Sequence, residues 1–229
     1  PHSRLLLEFL SSAPVVSPSD PVGSITQALA ALSVPTAGIK KPLPKAALVL
    51  VNGGVYQESI HYSDRQSPVT GLPLAPIAVM IVGSGLGGPA VVRSAECLEL
   101  CGMEAAMLES STDVVPEHLL WHYVCGLRME CQGDWGITLQ STKVLVENCA
   151  VKGGKEIAIS CSRTSALLRD NEVFGGKIGC QVEDESHVHM ERNTFRDNEC
   201  SGVAMFEAGV SCELVNNTFV ANDCGGVLV

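Results

Sequence analysis

The sequence predicts an all-β fold, a right-handed parallel β-helix, from three observations. An asparagine recurs at intervals of 23, 22 and 24 residues, at Asn148, Asn171, Asn193 and Asn217. Short segments with alternating apolar residues flank each of them, and the connecting residues are rich in Asn, Gly and Asp. No connection between these segments is long enough for a crossover helix. The pattern is typical of a solenoid in which equivalent short strands stack about 4.8 Å apart.

The recurring asparagines are expected to form a structural ladder at a bend of each coil. Asparagine tolerates the left-handed backbone conformation, and stacked side-chain amides can hydrogen-bond from coil to coil. Apolar columns lie three residues before and two residues after each asparagine, at Leu145, Leu168, Met190 and Leu214 and at Ala150, Val173, Phe195 and Phe219. A further column begins a second alternating strand, at Glu156, Gly179, Gly202 and Gly226. Each coil is therefore predicted to carry two short strands.

The parallel β-helix is predicted to span residues 46–229, which is about eight coils of 23 residues. An N-terminal arm and capping helix precede it at residues 1–45. The capping box at residues 24–27 opens an amphipathic helix that continues to Leu32. A helix over the first coil would cover its strand edges and its apolar interior.

The two ends of the chain lead to a separate expectation. The first residue is Pro1 rather than Met, and the last strand, at residues 225–229, stops in mid-pattern. The natural polypeptide is therefore expected to continue beyond Val229, or another chain is expected to cover the open C-terminal coil edge.

Composition and charge exclude several classes of function. Hydrophobic residues make up 46% of the chain and aromatic residues only 4%, so aliphatic side chains must fill the core. The formal charge is −10, and no basic cluster could neutralise several phosphates. The longest apolar run, residues 75–83, is far shorter than the roughly 20 residues of a membrane helix. Neither nucleic acid nor a membrane is expected as a partner.

The cysteines indicate an intracellular protein, cytoplasmic or cytoskeleton-associated. They are scattered without paired CxxC motifs, in a chain too long to need disulfides for its stability. Free cysteine behaves as a small hydrophobic residue, so most of these thiols are predicted to be buried and reduced. Cys200 and Cys224 occupy equivalent positions in successive repeats. They are expected to lie on adjacent coils and still to be reduced.

Two groups of motifs carry a family resemblance. The segments ITQALAAL, LVLVNGGVYQESI and IAVMIVGSG are similar to the opening of the pectin-methylesterase and carbohydrate-binding/sugar-hydrolase group of right-handed β-helices. In that group a helix precedes a strand that ends in Gly-x-Tyr-x-Glu, which matches residues 54–58 here. The segments NTFRDNECSGVAMF and NNTFVANDCGGVLV resemble the repeats of the large F-box β-helix proteins. The resemblance implies a pectin-lyase-like fold, which enzymes and non-enzymes share.

A glycine-rich run supports a rival interpretation as a dinucleotide-binding loop. Gly83, Gly85 and Gly88 follow the apolar IAVMIV segment, and Glu109 follows a later apolar segment. A doubly wound domain needs more strand and helix units than the roughly fifty residues before the repeats allow. A turn between two coils is the simpler interpretation, and a dinucleotide-dependent oxidoreductase is the weaker alternative.

Catalysis on this fold would require clustered carboxylates beside Arg or Lys on one outer strand face. Asp170 and Asp197 lie in similar contexts, but their registers differ and they are not expected to stack. The paired-aspartate and arginine motifs of pectin methylesterases are not found at matching positions. No catalytic residue and no cofactor are therefore assigned, and the chain is not expected to be an enzyme.

Two further clusters are candidate binding sites. His187, His189 and Glu191 alternate with apolar residues, so they would project from one strand and could ligate zinc, although a solvated face is the simpler interpretation. The other cluster is aromatic and consists of Trp121, His122, Tyr123 and Trp135. If exposed it could bind a sugar or a protein partner, and if buried it would pack a loop, which is the favoured alternative.

The sequence therefore predicts a non-catalytic β-helix scaffold or protein-interaction module within a larger intracellular assembly. Its expected partners are other protein chains. A carbohydrate-active or carbohydrate-binding protein of the pectin-lyase-like class is the main alternative.

Overall fold

A computed structural model describes residues 15–16, 24–33, 46–63, 78–101 and 121–229. These residues form one helix, α1 (Ile25–Ser33), and short strands that follow one another along the chain. The first eleven strands are β1 (Val15–Val16), β2 (Ala46–Val51), β3 (Gly54–Tyr56), β4 (Ile60–Ser63), β5 (Ala78–Gly83), β6 (Ala90–Ser94), β7 (Leu98–Cys101), β8 (His122–Cys125), β9 (Leu127–Cys131), β10 (Trp135–Gln140) and β11 (Lys143–Glu147). The others are β12 (Ala150–Lys152), β13 (Ile157–Ser162), β14 (Ser165–Arg169), β15 (Glu172–Phe174), β16 (Ile178–Glu183), β17 (His187–Glu191), β18 (Thr194–Arg196), β19 (Ser201–Met205), β20 (Ser211–Val215), β21 (Thr218–Val220) and β22 (Gly225–Leu228).

The strands build three parallel sheets, because every third strand returns to the same sheet. Sheet A has the order β1-β2-β5-β8-β11-β14-β17-β20. Sheet B runs from β3 to β21 and sheet C from β4 to β22 in the same manner. From β2 onwards, each set of three strands makes one coil, and the described residues form seven such coils. The prediction of an all-β parallel β-helix is confirmed.

The structure differs from the sequence prediction in the number of strands in each coil and in the length of the early coils. Each coil carries three strands rather than two, because the short strands of sheet B lie between the two predicted strands. The later coils repeat at 22 to 24 residues. The earlier ones are longer, since Ala47 pairs with Val79 and Ile81 with Val124, at registers of 32 and 43 residues. Residues 46–229 therefore hold seven described coils.

Aliphatic side chains fill the interior of the solenoid in stacked columns. One column of sheet A places Val146, Leu168 and Met190 directly above one another, and all three are buried. In sheet B, Phe195 and Phe219 stack with ring centroids 5.4 Å apart. Like residues pack on like because equivalent strands pair in register.

The helix α1 caps the first coil, as predicted. Its residues Ile25, Ala28 and Leu29 are buried in the core, and the helix packs against β2 and β4. The Ser24 hydroxyl accepts a hydrogen bond from the Gln27 N–H at 3.2 Å, which is the predicted N-terminal cap. Beside the helix, β1 extends sheet A by pairing with β2. No helix among the described residues is long and apolar enough to cross a membrane.

Candidate functional site

The asparagine ladder lies at the turn that leads from sheet A to sheet B. The Asn171 Nδ2 donates to Asn193 Oδ1 at 3.0 Å, and Asn193 Nδ2 donates to Asn217 Oδ1 at 3.0 Å. Each of these oxygens also accepts the backbone N–H of the asparagine one coil earlier. Asn171 and Asn193 are buried, so the ladder satisfies the turn internally and offers no group to a ligand.

Asn148 lies outside this ladder, which corrects the predicted register. The Cys149 N–H donates to Asn171 Oδ1 at 2.9 Å, so Cys149 holds the ladder position in that coil. Asn148 is exposed and occupies the adjacent left-handed position with a φ of 52°. Asparagine suits both positions, because it can form side-chain hydrogen bonds and also tolerates a positive φ.

A second correction concerns the glycine column of sheet C. Ile159 pairs with Cys180, which aligns Ala158 rather than Glu156 with Gly179. A shift of two residues keeps every side chain on the same face of a strand. The prediction therefore placed the apolar side chains on the correct face of the strand, although it aligned the strand two residues away from its observed register.

Two further ladders were missed by the sequence analysis. The Asn198 Nδ2 donates to Asn222 Oδ1 at 2.8 Å at the turn between sheets B and C. At the turn between sheets C and A, the Thr164 N–H donates to Ser186 Oγ at 3.1 Å. The recurrence of NTFRDN and NTFVAN could have revealed the first of these ladders. The second ladder left no such repeat in the sequence, because one of its members is a threonine and the other is a serine.

The proposed zinc ligands project outward from β17, where they lie among ion pairs. His189 Nδ1 lies 2.9 Å from Glu213 Oε2, and Glu191 forms a close ion pair with Arg192. His187 is exposed between two serines, Ser165 and Ser211. Within the described residues, no three His, Cys, Asp or Glu side chains converge as metal ligands would.

The glycine-rich run forms a turn between β5 and β6. The Gly53 N–H donates to the Leu86 carbonyl at 2.7 Å, and a Cβ atom on Gly53 would lie 2.5 Å from the Gly87 backbone. The chain then enters β6 and not a helix, so no helix N-terminus is available for a pyrophosphate. The dinucleotide interpretation of Gly83, Gly85 and Gly88 is wrong for this reason, and Glu109 lies outside the described residues.

The aromatic cluster is divided between core and surface. His122 is buried, its Nδ1 accepts the Val79 N–H at 3.2 Å, and burial lowers its pKa to about 4. The Tyr123 hydroxyl donates to Glu147 at 2.9 Å on the outer face of sheet A. Trp135 is 46% exposed at the start of β10. The favoured interpretation, burial, therefore fits His122 but not Trp135.

Charged side chains on the outer faces are paired from coil to coil. Asp170 accepts two hydrogen bonds at 2.8 Å from the Arg192 guanidinium, which lowers the pKa of the Asp170 carboxyl. Asp197 lies beside Arg196 at another turn, so the two aspartates do not stack. Similar pairs link Arg93 to Glu130, Arg169 to Glu147 and Arg196 to Glu172. These carboxylates are engaged with arginines and are not clustered for acid–base work.

One cluster of titratable groups on sheet C was not predicted. His61 Nδ1 lies 2.6 Å from Glu99 Oε2, and the Cys101 thiol donates to Glu99 Oε1 at 3.4 Å. The carboxylate therefore contacts both groups, the imidazole through Oε2 and the thiol through Oε1. Burial and the Glu99 carboxylate raise the pKa of Cys101 to about 11, which keeps the thiol protonated and weakly nucleophilic. The 38-residue register between His61 and Glu99 left no sequence signal.

The outer face of sheet A carries an apolar patch over its first five coils. One column runs through Leu48, Met80, Tyr123, Leu145 and Leu167, which the strand registers place side by side. The next outward column begins with Leu50 and Val82. We call these seven residues the sheet A stripe. All except the buried Leu48 keep part of their surface in contact with solvent, and the longer column becomes polar at His189 and Glu213.

Comparisons with known proteins agree with this architecture. Residues 125–229 match the family described as right handed beta helix region. Among solved structures, ORF18 of Geobacillus virus E2 is similar in fold, with a TM-score of 0.57 and 14% sequence identity over 95% of this chain. The match covers 42% of the viral chain, so this chain spans less than half of that protein. No curated protein matches the sequence. The right-handed β-helix resemblance is thereby confirmed at the level of the fold.

Proposed function

We propose that this chain is a non-catalytic scaffold that binds an amphipathic helix of another protein along the sheet A stripe. The observation that carries the proposal is the run of apolar side chains on an outer sheet face, where an alternating strand normally presents polar residues. Contiguous apolar surface on a protein marks an interaction site more often than scattered apolar residues do.

The dimensions of the stripe favour a helix as the occupant. Because Leu48 is buried, the accessible part of the longer column runs over four coils, from Met80 to Leu167. At a spacing of about 4.8 Å these four coils give a length of about 14 Å, which matches about 10 residues of α-helix.

In the first two coils the second column, Leu50 and Val82, lies two residues from the first, a separation of about 7 Å. In the fourth and fifth coils the ion-paired Glu147 and Arg169 occupy that column, so the apolar surface there is one column wide. An amphipathic helix with an apolar face at i, i+3, i+4 and i+7 and polar flanks fits a surface of this kind.

The paired outer charges support a scaffold over an enzyme. The Asp170 carboxylate is held by Arg192, and the Cys101 thiol keeps its proton beside Glu99. Coil-to-coil ion pairs and ladders make the solenoid stiff, which suits a surface that positions partners. A rigid surface also binds with less loss of conformational entropy.

A peptide library tests the proposal directly. Randomised peptides of about 14 residues are selected on the immobilised chain, and enriched sequences should carry apolar residues at helical spacing. Leu145→Lys and Leu167→Lys should each weaken binding about tenfold or more, because the lysine would place a charge against apolar surface. Thr138→Lys, on the outer face of sheet C, is the matched control and should leave affinity unchanged. Enriched peptides without helical spacing, or equal binding by all three variants, would reject the proposal.

The open coil edge is a second place where another chain could bind. No described strand pairs with the outer side of β20, β21 or β22. Val220, Val227 and Leu228 are exposed there. Such edges favour strand addition, so we propose that a further strand, from a continuation of this chain or from another protein, pairs with them. If a second copy supplies that strand, replacing Val227 and Val229 with Lys should reduce self-association of residues 1–229 in sedimentation experiments, and a monomer at high concentration would exclude a second copy.

An intracellular location is part of the same proposal. All ten cysteines are free thiols, and five of them are buried. Reduced thiols of this kind are typical of cytoplasmic or cytoskeleton-associated proteins. A secreted chain would be expected to use some of its adjacent cysteines in disulfides.

Carbohydrate binding is a second candidate, which the exposed Trp135 favours. Thr138 and Gln140 lie on the same strand and are partly exposed, whereas Ser160 on the next coil is buried. An exposed indole together with hydroxyl and amide groups of this kind can bind a sugar ring. A saturable change in tryptophan fluorescence with neutral oligosaccharides should appear, and it should be lost in Trp135→Ala but kept in Trp121→Phe. The absence of saturation with any oligosaccharide would eliminate this candidate.

A further inference from the structure

We infer that Cys200 and Cys224 form a redox-active thiol pair, a modification site that a small disulfide such as oxidised glutathione converts into an intramolecular disulfide. The two residues lie on adjacent coils, just before β19 and β22. The inference concerns the C-terminal coils and is independent of the sheet A stripe.

The backbone holds the two cysteines side by side. The Cys224 N–H donates to the Cys200 carbonyl at 2.6 Å. Two residues earlier the Asn198–Asn222 ladder joins the same turns, and one residue later Ser201 pairs with Gly225. Neighbouring parallel strands lie about 4.8 Å apart, which falls within the Cα separation of about 4.4–6.8 Å that disulfides require.

Accessibility distinguishes this pair from the other adjacent thiols. Cys224 is the one fully exposed cysteine of the ten, and Cys200 is half-buried beside it. Cys97 interacts with Cys131 in a similar way, but both of those thiols are buried in the core. A dissolved disulfide can therefore reach Cys224 and Cys200 while the buried pair is protected.

The two thiols interact directly with each other. A hydrogen bond with Cys200, together with the nearby Asp223 carboxylate, raises the pKa of the Cys224 thiol. One thiol of the pair must lose its proton before exchange, because thiolate attack is the first step of thiol–disulfide exchange.

The exchange needs two steps and no oxidant other than the small disulfide. One thiolate of the pair attacks a glutathione sulfur, a protein–glutathione bond forms, and the glutathione disulfide breaks to release one glutathione thiolate. The second cysteine loses its proton to solvent and attacks the protein sulfur, so that the Cys200–Cys224 bond forms and the second glutathione leaves. The protein loses two electrons and two protons, and the glutathione disulfide is reduced to two thiols.

The new bond would tie the seventh coil to the sixth. The segment between the two cysteines contains β19, β20 and β21, so cross-linking closes a loop around most of the last coil. Local opening of this coil should become rarer, because the cross-link restricts its opened states.

The experiment treats the full chain with oxidised glutathione under native conditions and maps the cross-linked peptides by mass spectrometry. The expected product is a single Cys200–Cys224 disulfide that has lost two hydrogen atoms, with amide exchange in β22 slowed about tenfold or more. Cys224→Ser should instead accumulate a glutathione adduct on Cys200, because no second thiol resolves it. Cys212→Ser, which removes a half-buried thiol on β20, should still form the cross-link.

Three results would overturn the inference. One is the accumulation of stable glutathione adducts on both Cys200 and Cys224 of the native chain. Another is a cross-link that joins a different pair of cysteines. The third is an unmodified chain whose circular dichroism still reports a folded β-helix. Because Cys224 is exposed, the Cys224→Ser variant should fold, and Cys224→Ala provides a second variant for the same comparison.

Discussion

The first two coils and the last four coils of this solenoid are held together by different means. The last four repeat at 22 to 24 residues and are joined by ladders of identical or similar side chains, such as Asn171, Asn193 and Asn217. The first two coils have registers of 32 and 43 residues to their next neighbours. Apart from strand pairing, they are joined by individual side-chain contacts, such as the Ser84 hydroxyl on Asn52 Oδ1 at 2.7 Å. Repetition spreads stability over many equal groups, whereas the irregular coils rest on a few individual residues.

Acid is expected to destabilise the irregular coils more than the regular ones, through His122. This residue joins β8 to the irregular β5, since its Nδ1 accepts the Val79 N–H. Burial lowers its pKa from 6.5 to about 4. The unfolded chain binds the proton at a higher pH than the folded chain does. The stabilisation is therefore complete above about pH 6.5, and about 3 kcal/mol is lost as the pH falls to about 4.

Hydrogen exchange as a function of pH measures this effect by region. Strands β5 and β8 should lose protection at a higher pH than β14 and β17. His187→Gln removes an exposed histidine and should keep the acid sensitivity of the native chain. His122→Gln retains a hydrogen-bond acceptor without an imidazole, so its stability should vary less between pH 6.5 and 4. Equal acid sensitivity of the two variants would remove His122 from this role.

The ladder itself can be broken at Asn193. Its side chain bonds Asn171, Asn217 and the Leu168 carbonyl, so Asn193→Leu leaves several buried polar groups without partners. A loss of about 1 to 3 kcal/mol in the free energy of unfolding is expected from denaturant titration.

Asn148→Gly is the matched control for the ladder. Asn148 is exposed and has a positive φ, which glycine adopts without strain, so the free energy of unfolding should change by less than about 0.5 kcal/mol. Equal losses in Asn148→Gly and Asn193→Leu would place Asn148 back in the ladder.

The regular coils could be predicted from the sequence, and the irregular ones only in part. Period-2 alternation and a repeat of about 23 residues were sufficient to predict the fold. They also predicted correctly that His187, His189 and Glu191 point outward. The same letters could not resolve the register at Asn148, because two adjacent turn positions both favour asparagine. The sheet A stripe depends on pairings such as Met80 with Tyr123, which cross long connections that have no sequence period. The solenoid pattern is local, but this candidate site arises from long-range register.

The cap of the irregular end depends on Glu58. Its carboxylate accepts the Ile25 N–H at 2.8 Å, the Thr26 N–H at 3.0 Å and the Ser24 hydroxyl at 2.7 Å. A carboxylate at a helix N-terminus satisfies backbone N–H groups that have no partner within the helix. Glu58→Ala should therefore destabilise α1 by about 1 to 2 kcal/mol.

Amide exchange of α1 would detect this change even if the rest of the solenoid is unaffected. The N–H groups of Ile25 and Thr26 should exchange faster in Glu58→Ala, while amides of β14 and β17 should be unchanged. Gln57→Ala alters the exposed neighbouring side chain and should leave α1 as protected as in the native chain. Unchanged exchange of α1 in Glu58→Ala would mean that the carboxylate does not secure the cap.

The smallest effect is expected where the regular ladder stops, at Cys149. Its N–H already donates to Asn171 Oδ1, so the backbone there has the ladder conformation without a ladder side chain. In Cys149→Asn, the new Nδ2 can reach the Val124 carbonyl, as Asn171 Nδ2 reaches the Val146 carbonyl at 2.8 Å in the next coil. The new Oδ1 can accept the Leu127 N–H in the same manner, and Asn171 Oδ1 can accept a second donor. Because a buried hydrogen bond contributes about 1 kcal/mol, Cys149→Asn should stabilise the chain by about that amount in denaturant titration.

Cys149→Ser, which cannot span the same distances, should not stabilise it. A loss of stability in Cys149→Asn would show that the ladder cannot be extended toward the irregular coils, so the boundary between the two regions would be set by packing around Cys149 rather than by the choice of side chain.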